Sequence, residues 1–199
     1  MPLRSDMPRN VFVFCGNPVE GSLCGAIAER YAAGARAAGH GCREQSVGRM
    51  RFDPNLRHGY HERMELEPDL LAAQDAIRWA DHLVFVYPTW WGSMPALMKG
   101  FVDRTFVPDF AYRYRTNSVL WDKLLAGRTA RLIVSMDAPW WWDTIVNGST
   151  SRHTLAAPIL KFCGVRPVKQ TVFDQVRRST PERRAKWLAV AERLGSRAR

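Results

Sequence analysis

Short apolar runs alternate along the chain with segments in which apolar residues recur at helical spacing. Three runs of strand length are clearly apolar, the first of them without interruption, and two others contain several polar residues. The strands are predicted at residues 11–15, 40–46, 82–87, 130–135 and 165–173. The helices are predicted at residues 23–39, 67–81, 96–106, 152–163 and 181–194.

This order of elements is typical of an α/β protein. Strands that are apolar on both faces and alternate with helices predict a parallel sheet covered on both sides. Five such strands with right-handed crossovers form a doubly wound sandwich. No repeat, low-complexity tract or linker divides the sequence. We therefore expect one domain over residues 1–199, with residues 1–9 as a loose N-terminal segment.

Three unusual loops each follow a predicted strand. They are GNPVEG after the first strand, PTWWGSMP after the third and MDAPWWWDT after the fourth. Ligands of doubly wound sheets bind at the carboxyl ends of the strands, where the strand order reverses. We therefore expect the three loops to meet at one edge of the sheet and to form the functional site.

The first loop leads to Ser22, a predicted helix N-cap. The backbone N–H groups of residues 22–24 would face outward at the positive end of the helix dipole, which suits a phosphate. Taken alone, a capping role is the simpler explanation of this serine. Neither GxGxxG nor GxxxxGK[ST] is present, so the sequence has no Rossmann fingerprint and no P-loop.

Five of the eight tryptophans lie in the second and third loops. Adjacent exposed tryptophans need a covering surface, and a flat conjugated ring such as isoalloxazine would provide one. A neighbouring helix or a second subunit would cover them as well, so a stacking platform and a dimer interface are both open. The segment FAYRYR at residues 110–115 places further aromatic rings beside cations, which suits a pocket or nucleic-acid bases.

Composition and charge narrow the classes of function. The net charge is +10, and residues 177–199 carry eight basic against two acidic residues. We interpret that segment as a helix with a solvated basic face, which argues against a nucleic-acid partner. No apolar run approaches the roughly 20 residues of a membrane span, and the first residues do not resemble a signal peptide. We therefore expect a cytoplasmic protein without membrane insertion and with its four cysteines reduced.

Patterns for hydrolysis or metal catalysis are absent from the sequence. It has no GxSxG, and its five histidines show no zinc spacing such as HExxH, so no metal site is predicted. Aromatic loops without an evident acid/base pair predict that a bound cofactor supplies the reactivity.

The stretch YPTWWGSMPALMKGFVDRTFVPDFAY at residues 87–112 closely resembles the signature of the NAD(P)H:quinone oxidoreductase family. These flavodoxin-like flavoproteins include mammalian quinone reductase and bacterial modulator-of-drug-activity enzymes. NPVEGSL resembles the first loop of the family and FCGVRPV its last strand unit, so the resemblance covers residues 10–194. It implies a flavodoxin-like three-layer sandwich whose five-stranded parallel sheet has the order 2-1-3-4-5.

The resemblance also implies a site for FMN or FAD. Its residues would be Asn17, Ser22, Leu23 and Cys24 at the flavin phosphate, Pro88, Thr89, Trp90, Trp91 and Gly92 along the isoalloxazine edge, and Ser135, Met136, Asp137 and Ala138 at the pyrimidine end. Asn17 and Cys24 depart from the His and Asn of the family. A carboxylate at the pyrimidine end would oppose the negative charge of reduced flavin, so Asp137 is expected to point elsewhere or to be paired.

The implied activity is hydride transfer from NADPH or NADH through the flavin to a quinone-like acceptor. The Tyr and His proposed to assist this transfer in the family fall near Asp143 and Ser149 and are not reproduced. Trp140 to Trp142 are instead expected to shape the pocket, with Trp140 as the candidate at the catalytic position. Tyr112 and Tyr114 match aromatic residues that the family contributes across a dimer interface, so a homodimer with shared sites is implied. The excess of basic residues favours NADPH over NADH because NADPH carries an additional phosphate. The sequence does not indicate which arginine would bind that phosphate.

Two alternatives belong to other classes of function. One is a flavin-binding regulatory subunit with little turnover, as some relatives of the family are. The other is a nucleic-acid-binding protein that uses the basic tail, for which the fold is only a scaffold. The resemblance favours the enzyme because its matching loops concern the flavin and not the tail.

Overall fold

The computed structural model describes residues 7–198, which contain seven strands. In chain order they are β1 (Asn10–Cys15), β2 (Gly41–Ser46), β3 (His82–Pro88), β4 (Tyr112–Tyr114), β5 (Trp121–Lys123), β6 (Thr129–Ser135) and β7 (Val168–Phe173). Five of them form a parallel sheet in the order β2-β1-β3-β6-β7, while β4 and β5 pair antiparallel as a separate hairpin. Counted within the sheet alone the order is 2-1-3-4-5, so the predicted topology is confirmed.

Helices cover both faces of the sheet. They are α1 (Leu23–Ala37), α2 (Pro68–Trp79), α3 (Ala96–Thr105), α4 (Trp140–Ile145), α5 (Thr150–Leu155) and α6 (Pro181–Arg197). Because successive side chains of a strand point to opposite faces, β1 contributes to two cores. Phe12 and Phe14 pack in the core with α2 and α3, and Val11 and Val13 pack with α1 and α6. This alternation produces the three layers.

Several predicted boundaries are wrong, most of them where a partner distant in sequence decides the structure. Residues 140–145 were expected in a loop, yet they form α4 because Asp174 accepts the N–H of Trp140 and so caps the first turn. The helix expected at residues 152–163 begins as α5 at residue 150 and continues as a π-helix over Ala156–Lys161. Pro158 lies in that segment and has no N–H for an α-helical bond. The hairpin of β4 and β5 was not predicted.

The chain near its N-terminus is anchored from residue 9 onward. Residues 1–6 of the expected loose segment lie outside the described residues. Arg9 donates its backbone N–H to Nδ1 of His40 at 3.1 Å and its guanidinium to the carbonyl of Ala198 at 3.1 Å. All four cysteines are free thiols. Among residues 7–198, no helix is both long and apolar enough to cross a bilayer.

A buried histidine lies at the amino edge of the sheet, away from the predicted loops. His82 begins β3 and contacts the hydroxyl groups of Tyr31 at 3.1 Å and Thr129 at 2.7 Å through its two ring nitrogens. Burial, together with the positive charges of Arg131 and Arg9, lowers the pKa of this imidazole to about 3. The ring therefore stays neutral in the folded protein throughout the physiological range.

This histidine predicts a loss of stability in mild acid. The unfolded chain binds a proton on residue 82 near pH 6.5 whereas the folded chain does not, so the stability falls as the pH drops from about 6.5 towards 3. The expected slope is about 1.4 kcal/mol per pH unit. Urea unfolding measures this effect when the wild type is compared with His82→Gln, whose residue 82 cannot titrate. The excess in free energy of unfolding of the wild type over this variant should shrink by about 1.4 kcal/mol for each pH unit below 6.5. A difference that stays constant down to about pH 4.5 would contradict the assignment. The exposed His153 provides the control substitution, His153→Gln.

Candidate functional site

The three loops meet at the carboxyl edge of the sheet, as predicted. They are loop one (residues 16–22), loop two (residues 89–95) and loop three (residues 136–139). Gly16 donates its N–H to the carbonyl of Val86 at 2.8 Å, and Thr89 donates to the carbonyl of Ser135 at 2.8 Å. The Sγ of Cys24, in the first turn of α1, lies 3.2 Å from the Oγ of Ser135. The start of α1 and the ends of β1, β3 and β6 are thus tied together directly.

The start of α1 leaves backbone donors free at this edge. Ser22 caps the helix, its Oγ accepting the N–H of Gly25 at 3.3 Å. The N–H groups of Leu23 and Cys24 precede the first helical hydrogen bond and have no partner in the part of the chain that the structure describes. Gly21 has a φ of +69°, and a Cβ on it would meet nothing within 4 Å. The capping role and the anion site that the sequence left as alternatives are therefore compatible.

The side chains of loop one and the first turn of α1 serve the fold. Cys24 is buried, and burial raises the pKa of its thiol to about 11, so the group remains protonated at neutral pH. Asn17 is also buried, and its Oδ1 accepts the N–H of Val19 at 3.0 Å, which shapes the loop as an Asx turn. Leu23 is partly buried against the core beneath α1. Backbone groups rather than these side chains are left for a ligand.

Loop two is a tight turn that presents its tryptophans to solvent. Trp90 and Ser93 exchange backbone hydrogen bonds of 2.9 and 3.0 Å around Trp91 and Gly92. Both central residues have positive φ, +50° and +70°, as in a type I′ turn. The left-handed conformation is strained for tryptophan, and strain of this kind concentrates at functional sites. The Trp91 side chain is fully exposed, Trp90 is partly exposed, and Pro88 is buried at the end of β3.

Loop three begins inside the sheet and ends at the surface. Met136 is buried and uses its N–H and carbonyl in bonds to Phe173 at 3.0 Å and Val176 at 3.1 Å. The carboxylate of Asp137 accepts the backbone N–H of Arg177 at 2.8 Å, so this acid points toward the turn after β7. Its expected pairing is therefore seen. The N–H groups of Asp137 and Ala138 have no partner among the described residues and remain available as donors.

Residues that the sequence did not single out hold α4 and α5 against loop two. Ser151 is buried, its Oγ lies 3.0 Å from the hydroxyl of Thr89, and its carbonyl accepts the Tyr87 hydroxyl at 3.1 Å. Arg152 donates to the buried carboxylate of Asp143 at 2.9 Å. The family resemblance names Asp143 only as lying near a position where the family has a Tyr or His, and hydrophobic periodicity carries no signal for its ion pair with Arg152.

The aromatic candidates lie in two places. Trp140, Trp141 and Trp142 are exposed on α4 beside loop three. Tyr112 is only 9% exposed and packs edge-on against Phe162 of its own chain, with its pKa raised by burial to about 12, whereas Tyr114 is 64% exposed. The ring of Tyr114 contacts that of Tyr112, which in turn contacts Phe162, and neither ring contact involves a residue of the three loops.

Two cavities flank this edge. One of about 290 Å³ lies beside loop one and is lined among others by Cys15, Gly21, Ser46 and Arg49. The other, an open groove of about 580 Å³, lies beside loop three. A larger groove of about 790 Å³ runs between α1 and α6, but it is walled by helix side chains far from the strand ends. Within residues 7–198, no group of three His, Cys, Asp or Glu side chains could hold a metal ion.

The sheet order and the gathered loops define a doubly wound protein of the flavodoxin type, whose ligands bind at this edge. A family model for the flavodoxin-like fold matches residues 9–197, and the chain belongs to that family. This match confirms the fold that the resemblance implied.

Relatives with established names point to redox enzymes. Human ribosyldihydronicotinamide dehydrogenase [quinone] is 32% identical over 144 residues, which cover 69% of this chain and 61% of the human protein. Among solved structures, Smu.1420 from Streptococcus mutans UA159 has a TM-score of 0.81 at 28% identity, covering 94% of this chain and 98% of that one. An NAD(P)H:quinone oxidoreductase from Methanothermobacter marburgensis has a TM-score of 0.77 at 23% identity over 96% and 98%, which shows the fold alone. The chain spans less than two thirds of the length of the curated relatives that it matches first.

Proposed function

We propose that the chain is a flavin-dependent oxidoreductase that takes hydride from NADPH or NADH and reduces quinones or related electrophilic acceptors. The observation that carries this proposal is the meeting of free backbone donors, at the start of α1 and in loop three, with exposed tryptophans on one sheet edge. The names of the human and rat relatives, both dehydrogenases [quinone], support the same chemistry.

The residues at this edge fit FMN or FAD. The N–H groups of Leu23 and Cys24 suit the flavin phosphate, because a helix N-terminus combines free donors with a positive dipole end. Gly21 and Gly92 leave open space where a Cβ would stand, so a ligand can approach the backbone of loops one and two. The Trp91 ring is available to cover a flat conjugated system.

When bound, a flavin supplies the two-electron carrier chemistry between nicotinamide and acceptor. The chain supplies position and electrostatic support. The N–H groups of Asp137 and Ala138 would donate to the pyrimidine carbonyls of a bound flavin. The carboxylate of Asp137 accepts the N–H of Arg177 instead, which would keep its negative charge away from those carbonyls. Trp90 and Trp140 would flank the acceptor and exclude water. No protein acid or base is needed in this scheme, which agrees with the neutral thiol of Cys24.

We further propose a homodimeric, cytoplasmic protein. Tyr114, Val119 and Leu120 are exposed on the hairpin of β4 and β5, and a second subunit would cover them. The four free thiols suit a reducing compartment.

An absorption spectrum of the purified protein tests this proposal. We expect a flavin band that bleaches when NADPH is added anaerobically, and the mass of the heat-released cofactor distinguishes FMN from FAD. Addition of a quinone should then restore the band. Protein that stays colourless after incubation with both flavins would overturn the proposal. A bound flavin that neither nucleotide reduces would favour the regulatory-subunit alternative.

A further inference from the structure

The groove beside loop three carries an excess of positive charge. It is lined by Asp137, Pro139, Gln175, Arg177 and Arg178. Arg177 and Arg178 are both exposed, and no hydrogen bond or ion pair within the described part of the chain uses their guanidinium groups. The carboxylate of Asp137 lines the same groove but is not paired with either guanidinium, and the two arginines together carry more charge than this one acid can offset, which suits an anion.

Asp137 and Asp174 lie near this groove, and neither accepts a hydrogen bond from the guanidinium of Arg177 or Arg178. Asp137 accepts the Arg177 N–H at 2.8 Å through one oxygen. Asp174 accepts from Arg183 at 2.9 Å and from the Trp140 N–H at 3.0 Å. Arg184, in the first turn of the neighbouring helix α6, donates to the Oγ of Ser179 at 2.8 Å and forms no ion pair within the described part of the chain. Positive charge therefore exceeds negative charge around the groove.

The turn that carries the two arginines is fixed to the proposed flavin site. A 3₁₀ turn spans Val176–Arg178, and its first N–H donates to the carbonyl of Met136 at 3.1 Å. Gln175, just before it, adopts a positive φ of +53°. The arginines thus lie next to loop three, so a molecule whose reacting ring stacks at the loops can reach them with a remote anionic group.

We infer that Arg177 and Arg178 bind the 2′-phosphate of NADPH and make NADPH the preferred hydride donor. This inference rests on the proposed function and names its co-substrate. The 2′-phosphate is a compact dianion, and the planar guanidinium fork of arginine binds phosphate with two parallel hydrogen bonds. NADH carries a hydroxyl at the same position and cannot form these ion pairs, so it gains nothing from the arginines.

The double variant Arg177→Gln/Arg178→Gln tests this inference in the purified protein with its bound flavin. We expect the ratio of kcat/KM for NADPH to kcat/KM for NADH to fall by at least about 10-fold, with the value for NADH changed less than about 2-fold. Calorimetric binding of adenosine 2′,5′-bisphosphate should weaken by a similar factor, and binding of 5′-AMP should not change. Lys186→Gln/Arg193→Gln is the matched control, because it removes the same charge from the groove between α1 and α6.

Each other outcome overturns the inference. Equal losses for NADPH and NADH would assign the arginines to the pyrophosphate that both nucleotides share. An equal effect in the control variant would show a general effect of net charge. Failure of the proposed function has a different signature, because a protein that oxidises neither nucleotide can still bind the bisphosphate. Loss of that binding in the arginine variant alone would then support the anion site, and unchanged binding would overturn it.

Discussion

Replacing Arg104 with methionine is expected to lower the free energy of unfolding by about 3–5 kcal/mol. This side chain lies on α3, is only 1% exposed, and donates to the carbonyls of Asp53 and Glu65 and to the carboxylate of Glu67 at 2.9 Å. Burial opposes ionisation of Glu67, but hydrogen bonds and the Arg104 charge outweigh it and lower its pKa. The variant would leave that carboxylate without its cation and two carbonyls without donors.

Lys99→Met is the matched control because it removes a cation from the same helix. Lys99 is 47% exposed and pairs with Asp103 at 2.6 Å, an i,i+4 contact worth about 0.5 kcal/mol or less. Urea unfolding of both variants measures the contrast. If Arg104→Met does not fold, limited proteolysis of Arg104→Lys should show early cleavage within residues 51–67. Small and equal losses in the two methionine variants would contradict the clamping role of Arg104.

The sequence predicted the sheet because its central strands are short, predominantly apolar and buried on both faces. Residues 82–87, for example, are buried throughout β3. The hairpin of β4 and β5 was missed because its strands have three residues each, and its stability comes from Trp121 stacking on Phe162 at 4.4 Å. The α4 helix was missed because the residue that caps its first turn, Asp174, lies 34 residues from Trp140 in the sequence. Hydrophobic periodicity reflects only the local sequence and contains no information on contacts with residues that are distant in the chain.

The position of the candidate site in the fold could be predicted from the sequence, whereas the contacts made by its individual residues could not. Loops one, two and three converge because the carboxyl ends of parallel strands share an edge, which the sequence already implies. The roles within them differ from residue to residue. Cys24 and Asn17 direct their side chains into the fold, while Ser151 and Arg177 contact the loops from segments that gave no signal. Which atom faces a ligand depends on packing that only the structure shows.

Replacing Ser22 with aspartate is expected to weaken flavin binding by about 100-fold without unfolding the protein. Aspartate is as good an N-cap as serine, and a carboxylate is favourable at the positive end of a helix, so the free energy of unfolding of the flavin-free protein should stay the same or rise by up to about 1 kcal/mol. The same carboxylate would lie beside the N–H groups of Leu23 and Cys24 and repel a phosphate bound there. At an effective dielectric constant of about 20, two unit charges about 4 Å apart repel by about 4 kcal/mol, more than enough for a 100-fold loss.

Ser22→Asn separates charge from shape, because asparagine has the size of aspartate and caps helices equally well. Fluorescence titration of the flavin-free variants with FMN and FAD should place Ser22→Asn within a few-fold of the wild type and Ser22→Asp about 100-fold weaker. Raising the salt concentration should narrow the gap, since the repulsion is electrostatic and partly exposed to solvent. Equal affinities for the aspartate and asparagine variants would place the flavin phosphate away from α1. If Ser22→Asp instead raises the free energy of unfolding of the flavin-free protein and weakens flavin binding, the flavin phosphate lies at the start of α1.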